Sequence, residues 1–197
     1  MLRKVRDIVR CADTSARALY GDSPWRFVKY AYISLFSLNR FVVFHADGPS
    51  YAPPVEPLGL KEWPLAKLDA YRRDNILPKQ FYADKLSGFR RAWVYAENGA
   101  AAYIIWVCES HDKSAFLHLG DGVTMPEFRR RGLHKRGLAG LLAELGREGH
   151  RHLYVVTHEG NSNGLRAAEA AGMRRTGTVY ALGPFRFRKQ TAHLRAN

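Results

Sequence analysis

A short basic segment, residues 129–136, is the part of the sequence best suited to binding an anion. It has no acidic residue and five cations: Arg129, Arg130, Arg131, Lys135 and Arg136. A strand pattern ends before it at Pro126, and a helical pattern begins near Gly132. A helix N-terminus binds phosphate because its first backbone N–H groups have no partner within the helix and the helix dipole is positive there. The segment predicts a phosphate site, and a basic turn that only faces water is the alternative.

Other reactive side chains form weaker patterns. His150, His152 and His158 have no further ligand at a recognised metal spacing, and the HExxH motif is absent, so no metal site is predicted. Cys108 lies in an apolar run, where a small core residue is expected rather than a nucleophile. The sequence contains neither a serine-centred nucleophile elbow nor a Walker-type loop.

Length and charge narrow the classes of function. The 197 residues, 46% of them hydrophobic, suffice for one domain with a core and are too few for two ordinary domains. Lys and Arg total 31 against 18 Asp and Glu, which gives a net charge of +13 and favours anionic partners. Two cysteines, Cys11 and Cys108, exclude a disulfide scaffold and a four-cysteine zinc module.

The sequence also predicts where the protein works. The basic N-terminus is not followed by an apolar segment, so no secretory signal is expected. The most apolar stretch, Tyr30 to Leu38, has nine residues, whereas a helix needs about 20 to cross a bilayer. We therefore expect a soluble, cytoplasmic protein with no membrane span.

The first half of the chain is predicted to be mainly helical. Residues 1–38 are expected to form a helical N-terminal extension, followed by a strand at 40–47 and a mixed helical region from 57 to 88. A hairpin then joins 91–96 to 100–109, because Asn98-Gly99 is a strong signal for a two-residue turn. Residues 115–125 form a further predicted strand.

Helices and strands alternate in the last part of the chain. Four leucines recur at helical spacing and predict a helix over 132–146 with one core-facing side: Leu138, Leu141, Leu142 and Leu145. A strand at 152–157, a helix at 163–171 and one or two strands within 176–187 follow. The order predicts an α/β fold, with one domain over 1–197 and a mixed, mostly antiparallel sheet flanked by helices.

These features together resemble the GNAT (Gcn5-related N-acetyltransferase) superfamily. Arg129-x-x-Gly132-x-His134 is similar to the acyl-CoA pyrophosphate loop of that family, whose usual pattern is Gln/Arg-x-x-Gly-x-Gly/Ala. Asn161, followed eleven residues later by Gly172-Met173, is similar to the family's Asn…Gly-Phe segment. The resemblance covers residues 90–182, and the first 90 residues agree only in the order of their elements.

The resemblance implies that acetyl-CoA or another acyl-CoA is the co-substrate, with no metal. It would lie in a V between two splayed strands, where Gly122, Val123 and Thr124 would bond the pantetheine and the acyl carbonyl. Asn161 would contact the pantetheine arm. The pyrophosphate would be held by the backbone N–H groups of Arg129, Arg130, Arg131, Gly132, Leu133 and His134.

Three positions depart from the family pattern. His134 stands where Gly or Ala is usual, and Arg130 stands where Gly is common. Many members carry a tyrosine, the general acid for the CoA thiolate, at the position of Ala168. Another group, such as Tyr180 or a water, would then protonate the thiolate, or the thiolate would leave unassisted.

Acyl transfer to an amine also needs a base that removes a proton from the ammonium. His118 is the first candidate, because it shares a strand with Thr124, six residues later, and the two share a face if that strand is regular. Asp121 is the second, and needs a bulge near Gly120 or Gly122 to face the same way. A half-exposed strand histidine without a role is the alternative for His118.

The sequence therefore predicts an N-acyltransferase that moves an acetyl or longer acyl group from acyl-CoA to a primary amine by direct attack. The acceptor is expected to be an amino sugar or another small anionic amine, with a free amino acid or a protein lysine left open. A homodimer is also left open. The alternative is a non-catalytic basic protein that binds nucleic acid or an anionic surface on a GNAT-like fold, although no stacking motif of a nucleic-acid module is present.

Overall fold

The Asn98-Gly99 turn forms as predicted, because both residues adopt the left-handed backbone of a two-residue hairpin, with φ of 50° and 83°.

The computed structural model describes residues 24–25, 28, 38–86, 89–109, 116–182 and 187–190. Contacts divide the chain into two units, one of 41–178 with 192–197 and one of 1–40 with 179–191. Most of the predicted N-terminal helical extension lies outside the described residues.

Eight strands are described, and their bounds are close to the predicted ones where a strand was predicted. They are β1 (Leu38–Asp47), β2 (Lys61–Trp63), β3 (Arg91–Glu97), β4 (Ala100–Glu109), β5 (Phe116–Thr124), β6 (His152–His158), β7 (Arg174–Leu182) and β8 (Phe187–Gln190). The sheet of the 41–178 unit has the order β2-β3-β4-β5-β6-β1-β7. In the other unit, β8 pairs with the end of β7.

The sheet is mixed and mostly antiparallel, which confirms the predicted fold class. β2 with β3, β3 with β4, β4 with β5 and β1 with β6 pair antiparallel, whereas β5 and β6 run parallel. The parallel pair is connected through a helix, as such crossovers require. The short β2 was not predicted, because three residues carry too little alternation to distinguish a strand from a loop.

Four α-helices accompany the sheet in the described chain. They are α1 (Leu65–Asp74), α2 (Ala83–Leu86), α3 (Leu133–Arg147) and α4 (Ser162–Ala170), with short 3₁₀ turns at Lys79–Tyr82 and Pro126–Phe128. The leucine stripe of α3 is fully buried at Leu141, Leu142 and Leu145. Each such burial contributes roughly 1.5–3 kcal/mol. In the residues that the structure describes, no helix is long and apolar enough to span a membrane.

Two hydrophobic cores cover the two faces of the sheet. The first contains the α3 leucines together with Phe44, Leu119 and Leu153. The second contains Trp63, Leu68, Phe81 and Trp106. Because α3 and α4 contribute to the first core and α1 to the second, the two faces of β5 meet different helices.

A bulge interrupts β5 and changes which of its residues share a face. Ile104 pairs with Val123, but Trp106 pairs with Gly120, so β5 has one residue more than β4 across this interval. The extra residue is Asp121, whose φ is 47°. The condition under which His118 and Thr124 would share a face, a regular strand, is therefore not met, whereas the bulge that Asp121 needs near Gly120 or Gly122 is present. One inserted residue reverses the alternation, so the two side chains lie on opposite faces.

Candidate functional site

The site begins where β5 and β6 stop pairing. Their parallel ladder runs from Phe116 and His152 to Leu119 and Val155. Beyond it, the bulge turns β5 away, and the two strand ends diverge into a V. A cavity of about 880 Å³ lies between this end of β5, the loop before α3 and helix α4, and we call it the outer cleft.

The strand side of the outer cleft is formed by the three residues predicted there. Gly122, Val123 and Thr124 all line it. They follow the bulge directly, where β5 no longer shares its hydrogen bonds with β6. Backbone groups of a strand that has lost its neighbour can bond an extended ligand, as an added strand would.

The loop before α3 closes one end of the outer cleft. Arg129, Arg130, Gly132 and Leu133 line it. Gly132 caps α3 with φ of 69°, and the first bond of this turn runs from the Arg136 N–H to the Gly132 carbonyl. The amides before Arg136 have no partner inside the helix, so they can bind an anion.

The backbone conformation of Arg130 is one that favours glycine, the residue common at this position in the family it resembles. Its φ of 64° lies in the left-handed region, which costs a residue with a Cβ roughly 1–2 kcal/mol. Arg131, in contrast, does not line the cleft. Its guanidinium donates to both carboxylate oxygens of Glu97, at 2.7 and 2.8 Å. Its backbone N–H remains part of the predicted loop.

Helix α4 supplies the opposite wall. Asn161 caps this helix, and its side-chain oxygen accepts a hydrogen bond from the Gly164 N–H at 3.0 Å. Five residues of α4 line the outer cleft, and none of them was predicted from the sequence: Asn163, Gly164, Arg166, Ala167 and Ala170. The helical periodicity after Asn161 could have identified Arg166, Ala167 and Ala170, since they lie on the same side of the helix.

A second cavity of about 220 Å³ lies deeper between β5 and β6, and we call it the inner cavity. One part of its wall is polar and includes Gln80, Asp121 and His158. Another part consists of buried core residues, among them Leu119 and Leu138. The inner cavity therefore offers both polar and apolar contacts beside the point where the strands separate.

His134 lies beside both cavities. Its Nδ1 is 3.1 Å from the hydroxyl of Tyr103, a fully buried residue. Burial lowers the pKa of His134 to about 4, so the imidazole is neutral near pH 7. Burial also raises the pKa of Tyr103, which keeps the phenol protonated.

Comparison with known proteins identifies similar folds but no similar sequences. No family model matches the sequence, and no curated protein matches it. The structure is similar to an "Acetyltransferase from GNAT family from Colwellia psychrerythraea", with a TM-score of 0.57, 16% identity and coverage of 74% of this chain. It is also similar to a "GCN5-related N-acetyltransferase from Kribbella flavida", with a TM-score of 0.51, 12% identity and coverage of 79%.

The chain has the GNAT fold. The loop-based resemblance is thereby confirmed at the level of the fold. A GCN5-related N-acetyltransferase from Sphaerobacter thermophilus aligns as well, with a TM-score of 0.50, 14% identity and coverage of 81% of this chain. The aligned part spans 55%, 62% and 55% of the Colwellia, Kribbella and Sphaerobacter chains, respectively.

The predicted bases of this GNAT fold lie in different surroundings. Asp121 is exposed and lines the inner cavity. His118 lines neither cavity, and its ring packs against Phe89 with 5.6 Å between centroids. The bulge accounts for the difference, because it turns Asp121 out of the strand and leaves His118 on the face of the second core. The role of each stays a prediction.

Helix α4 carries no candidate for the general acid that would protonate a CoA thiolate. Ala168 is fully buried in the first core, and the neighbouring residues that line the outer cleft are Ala167 and Ala170. Among the described residues, α4 thus presents no phenol to the cleft. Tyr180 lies in the 179–191 unit, where it pairs with Lys189, and its role stays a prediction.

Metal-ligating residues are scattered in the part of the chain that is described. No group of three His, Cys, Asp or Glu side chains there is close enough to hold a metal ion. His45 and His152 do approach each other, with 3.3 Å between Nε2 and Nδ1, but they lie at the end of β6 opposite the V.

Proposed function

We propose that this protein is an acyl-CoA-dependent N-acyltransferase that moves an acetyl or longer acyl group to a primary amine. The observation that carries the proposal is the arrangement of the two cavities. The outer cleft ends at a basic helix N-terminus, and it adjoins the inner cavity where β5 and β6 separate. A donor with a phosphate at one end and a reactive thioester at the other fits these surroundings.

The cations around the outer cleft support a donor with several phosphates. Arg129, Arg130, Lys135 and Arg166 line it, and none of them forms an ion pair with another described residue. Neighbouring arginines differ, since Arg131 pairs with Glu97 and Arg136 with Glu56. Four cations at this cleft are therefore available to a ligand, and the backbone amides of the α3 N-terminus add to their effect.

The inner cavity supports direct attack by an amine. An ammonium that enters it meets the carboxylate of Asp121, which would accept a proton and leave a nitrogen lone pair. The nitrogen then bonds to the thioester carbon, and the carbon–sulfur bond breaks with its electron pair on sulfur. The amide nitrogen then loses its second proton, which water or a side chain such as Tyr180 relays to the thiolate, so CoA leaves as the thiol. His118 remains the alternative base.

The acceptor is proposed only as a class. A small anionic amine, such as a nucleotide-linked amino sugar, would be attracted by the net charge of +13. A free amine of this kind could also fit the polar wall of the inner cavity, where Gln80 and Thr157 offer an amide and a hydroxyl beside Asp121.

Calorimetric titration of the full chain with acetyl-CoA, free CoA and octanoyl-CoA at two salt concentrations tests the proposal. We expect one-to-one, micromolar binding of acetyl-CoA that persists at the higher salt, because backbone amides contribute to it. Thiol release from acetyl-CoA in the presence of amine classes, including amino sugars, amino acids and a lysine peptide, then identifies the acceptor. If no acyl-CoA binds, the enzyme proposal is wrong and a basic binding protein remains.

A further inference from the structure

The outer cleft and the inner cavity share a narrow region of wall. Four residues line both cavities: Gly122, His134, Asn161 and Gly164. Two of them are glycines, and the side-chain oxygen of Asn161 is bonded to the backbone of α4. The imidazole of His134 is the bulkiest side chain of the four. The shared wall is where a ligand would pass from one cavity to the other, and the size of the imidazole would limit the width of this passage.

The position of this imidazole is fixed by its packing. Besides its hydrogen bond to Tyr103, it lies against Gly122, where a Cβ would come within 2.9 Å of His134 Cε1. Tyr103 in turn lies against Gly137, where a Cβ would overlap the phenol ring. Two glycines thus make room for two rings, which leaves the imidazole little freedom to move.

The passage leads toward the apolar part of the inner cavity. Leu138 lies four residues after His134 and therefore on the same side of α3. Ile105, Leu119 and Val155 also line the inner cavity with aliphatic side chains. Such surroundings accept methyl and methylene groups and exclude charge.

We propose that the apolar part of the inner cavity receives the acyl chain and that His134, held by Tyr103, restricts the donor to short acyl groups such as acetyl and propionyl. The inference rests on the proposed function and goes beyond it, because it assigns the chain length and the residue that sets it. His134 acts by its volume, and Tyr103 acts as a positioning residue that keeps the ring in the passage.

The test compares the affinities of acetyl-, propionyl-, butyryl- and hexanoyl-CoA, measured by calorimetry, for the wild-type chain and two variants. Wild type is expected to bind the two shorter donors more tightly than the two longer ones. In His134→Ala the order reverses, and each methylene that enters the apolar part gains about fourfold in affinity. His134→Leu, which keeps the volume and loses the hydrogen bond, retains the wild-type order.

His45→Ala serves as the matched control, since His45 also contacts a second ring but lies away from both cavities. It should keep the wild-type order of affinities. Should His134→Ala fold poorly because the Tyr103 hydroxyl loses its partner, the double variant Tyr103→Phe/His134→Ala removes that hydroxyl and is expected to show the same reversal.

The possible failures can be told apart. If the wild-type chain binds none of the four donors, the acyltransferase proposal is wrong and this inference with it. If wild type binds them and neither opened variant changes the order of affinities, the acyltransferase proposal stands and the role of His134 is refuted. A reversal in His45→Ala as well would also refute it, because the effect would not be local.

Discussion

At the scale of single residues, the unusual side chains at positions 130 and 134 of the loop before α3 have identifiable structural consequences. Arg130 occupies a left-handed position that suits glycine, and His134 fills a space that Gly122 leaves open. The bulge residue Asp121 lines the inner cavity, whereas His118 packs against Phe89. Substitutions at these residues are therefore expected to have different effects on catalysis and stability.

The proposed base is tested by replacing both candidates. We expect Asp121→Asn to lower kcat by about 10²–10⁴, the range for loss of a general base, with little change in acetyl-CoA affinity. His118→Ala should lower kcat by less than about tenfold, because His118 lines neither cavity. Steady-state thiol release measures both. A large loss in His118→Ala together with an active Asp121→Asn would assign the proton transfer to the histidine.

The burial of His134 predicts a pH dependence of stability. Its pKa is about 4 in the folded chain, against about 6.5 in an unfolded one. Between these values the unfolded state binds more protons, so the stability that the neutral imidazole contributes is complete above about pH 6.5 and is lost as the pH falls toward 4. Urea unfolding at several pH values should show this loss in wild type and a smaller one in His134→Leu. Identical pH profiles would contradict the prediction.

At the scale of elements, the N-terminus of α3 and the bulge in β5 build the site together. The loop ends in Gly132 with φ of 69°, and the first three residues of α3 line the outer cleft. The bulge separates β5 from β6 and opens the other side. A substitution at either element should therefore weaken ligand binding and leave the packing of the hydrophobic cores unchanged.

The anion site at α3 is tested by Gly132→Glu. A carboxylate at this position would add bulk and negative charge where phosphate is expected to bind, so acetyl-CoA binding should fall below detection in calorimetry. Gly149→Glu is the matched control. Gly149 also has a positive φ, of 89°, and its Cβ would meet open space after the other end of α3. The control carries a similar backbone strain, and it should bind acetyl-CoA as wild type does.

At the scale of the whole molecule, the net charge of +13 admits two interpretations. Either the positive charge helps to bind one phosphate-bearing donor, or it attracts polyanions in general. Several arginines of the 41–178 unit are paired with carboxylates, among them Arg91 with Glu62 and Glu148, and Arg175 with Glu169. The outer cleft offers four cations without a carboxylate partner among the described residues, as the first interpretation requires.

Salt dependence distinguishes these interpretations. Binding to a DNA duplex should weaken steeply, since the logarithm of the affinity falls by about 0.9 per neutralised phosphate for each logarithmic unit of salt. Acetyl-CoA carries few phosphates and should lose less. We expect DNA binding to vanish between 50 and 200 mM salt, the range over which such losses are measured, while acetyl-CoA binding persists. DNA affinity that survives this range and exceeds that of acetyl-CoA would favour the binding protein.

Local sequence signals determined much of the fold and the position of the basic loop before α3. The Asn98-Gly99 turn, the α3 leucine stripe and the Gly132 cap each depend on neighbours a few residues apart, so periodicity and turn chemistry suffice to predict them. Gly122, Val123, Thr124 and Asn161 were predicted through the family resemblance, and the structure brings all four to the outer cleft.

Tertiary structure alone decided the rest. Gly120 and Gly122 indicated where a bulge would lie, but its formation depends on how β5 pairs with β4, and the one inserted residue puts His118 and Asp121 in different surroundings. The contact between His134 and Tyr103 joins residues 31 positions apart, and the opposite wall comes from α4. Such contacts form only when distant segments pack together, and no local pattern encodes which of them will meet.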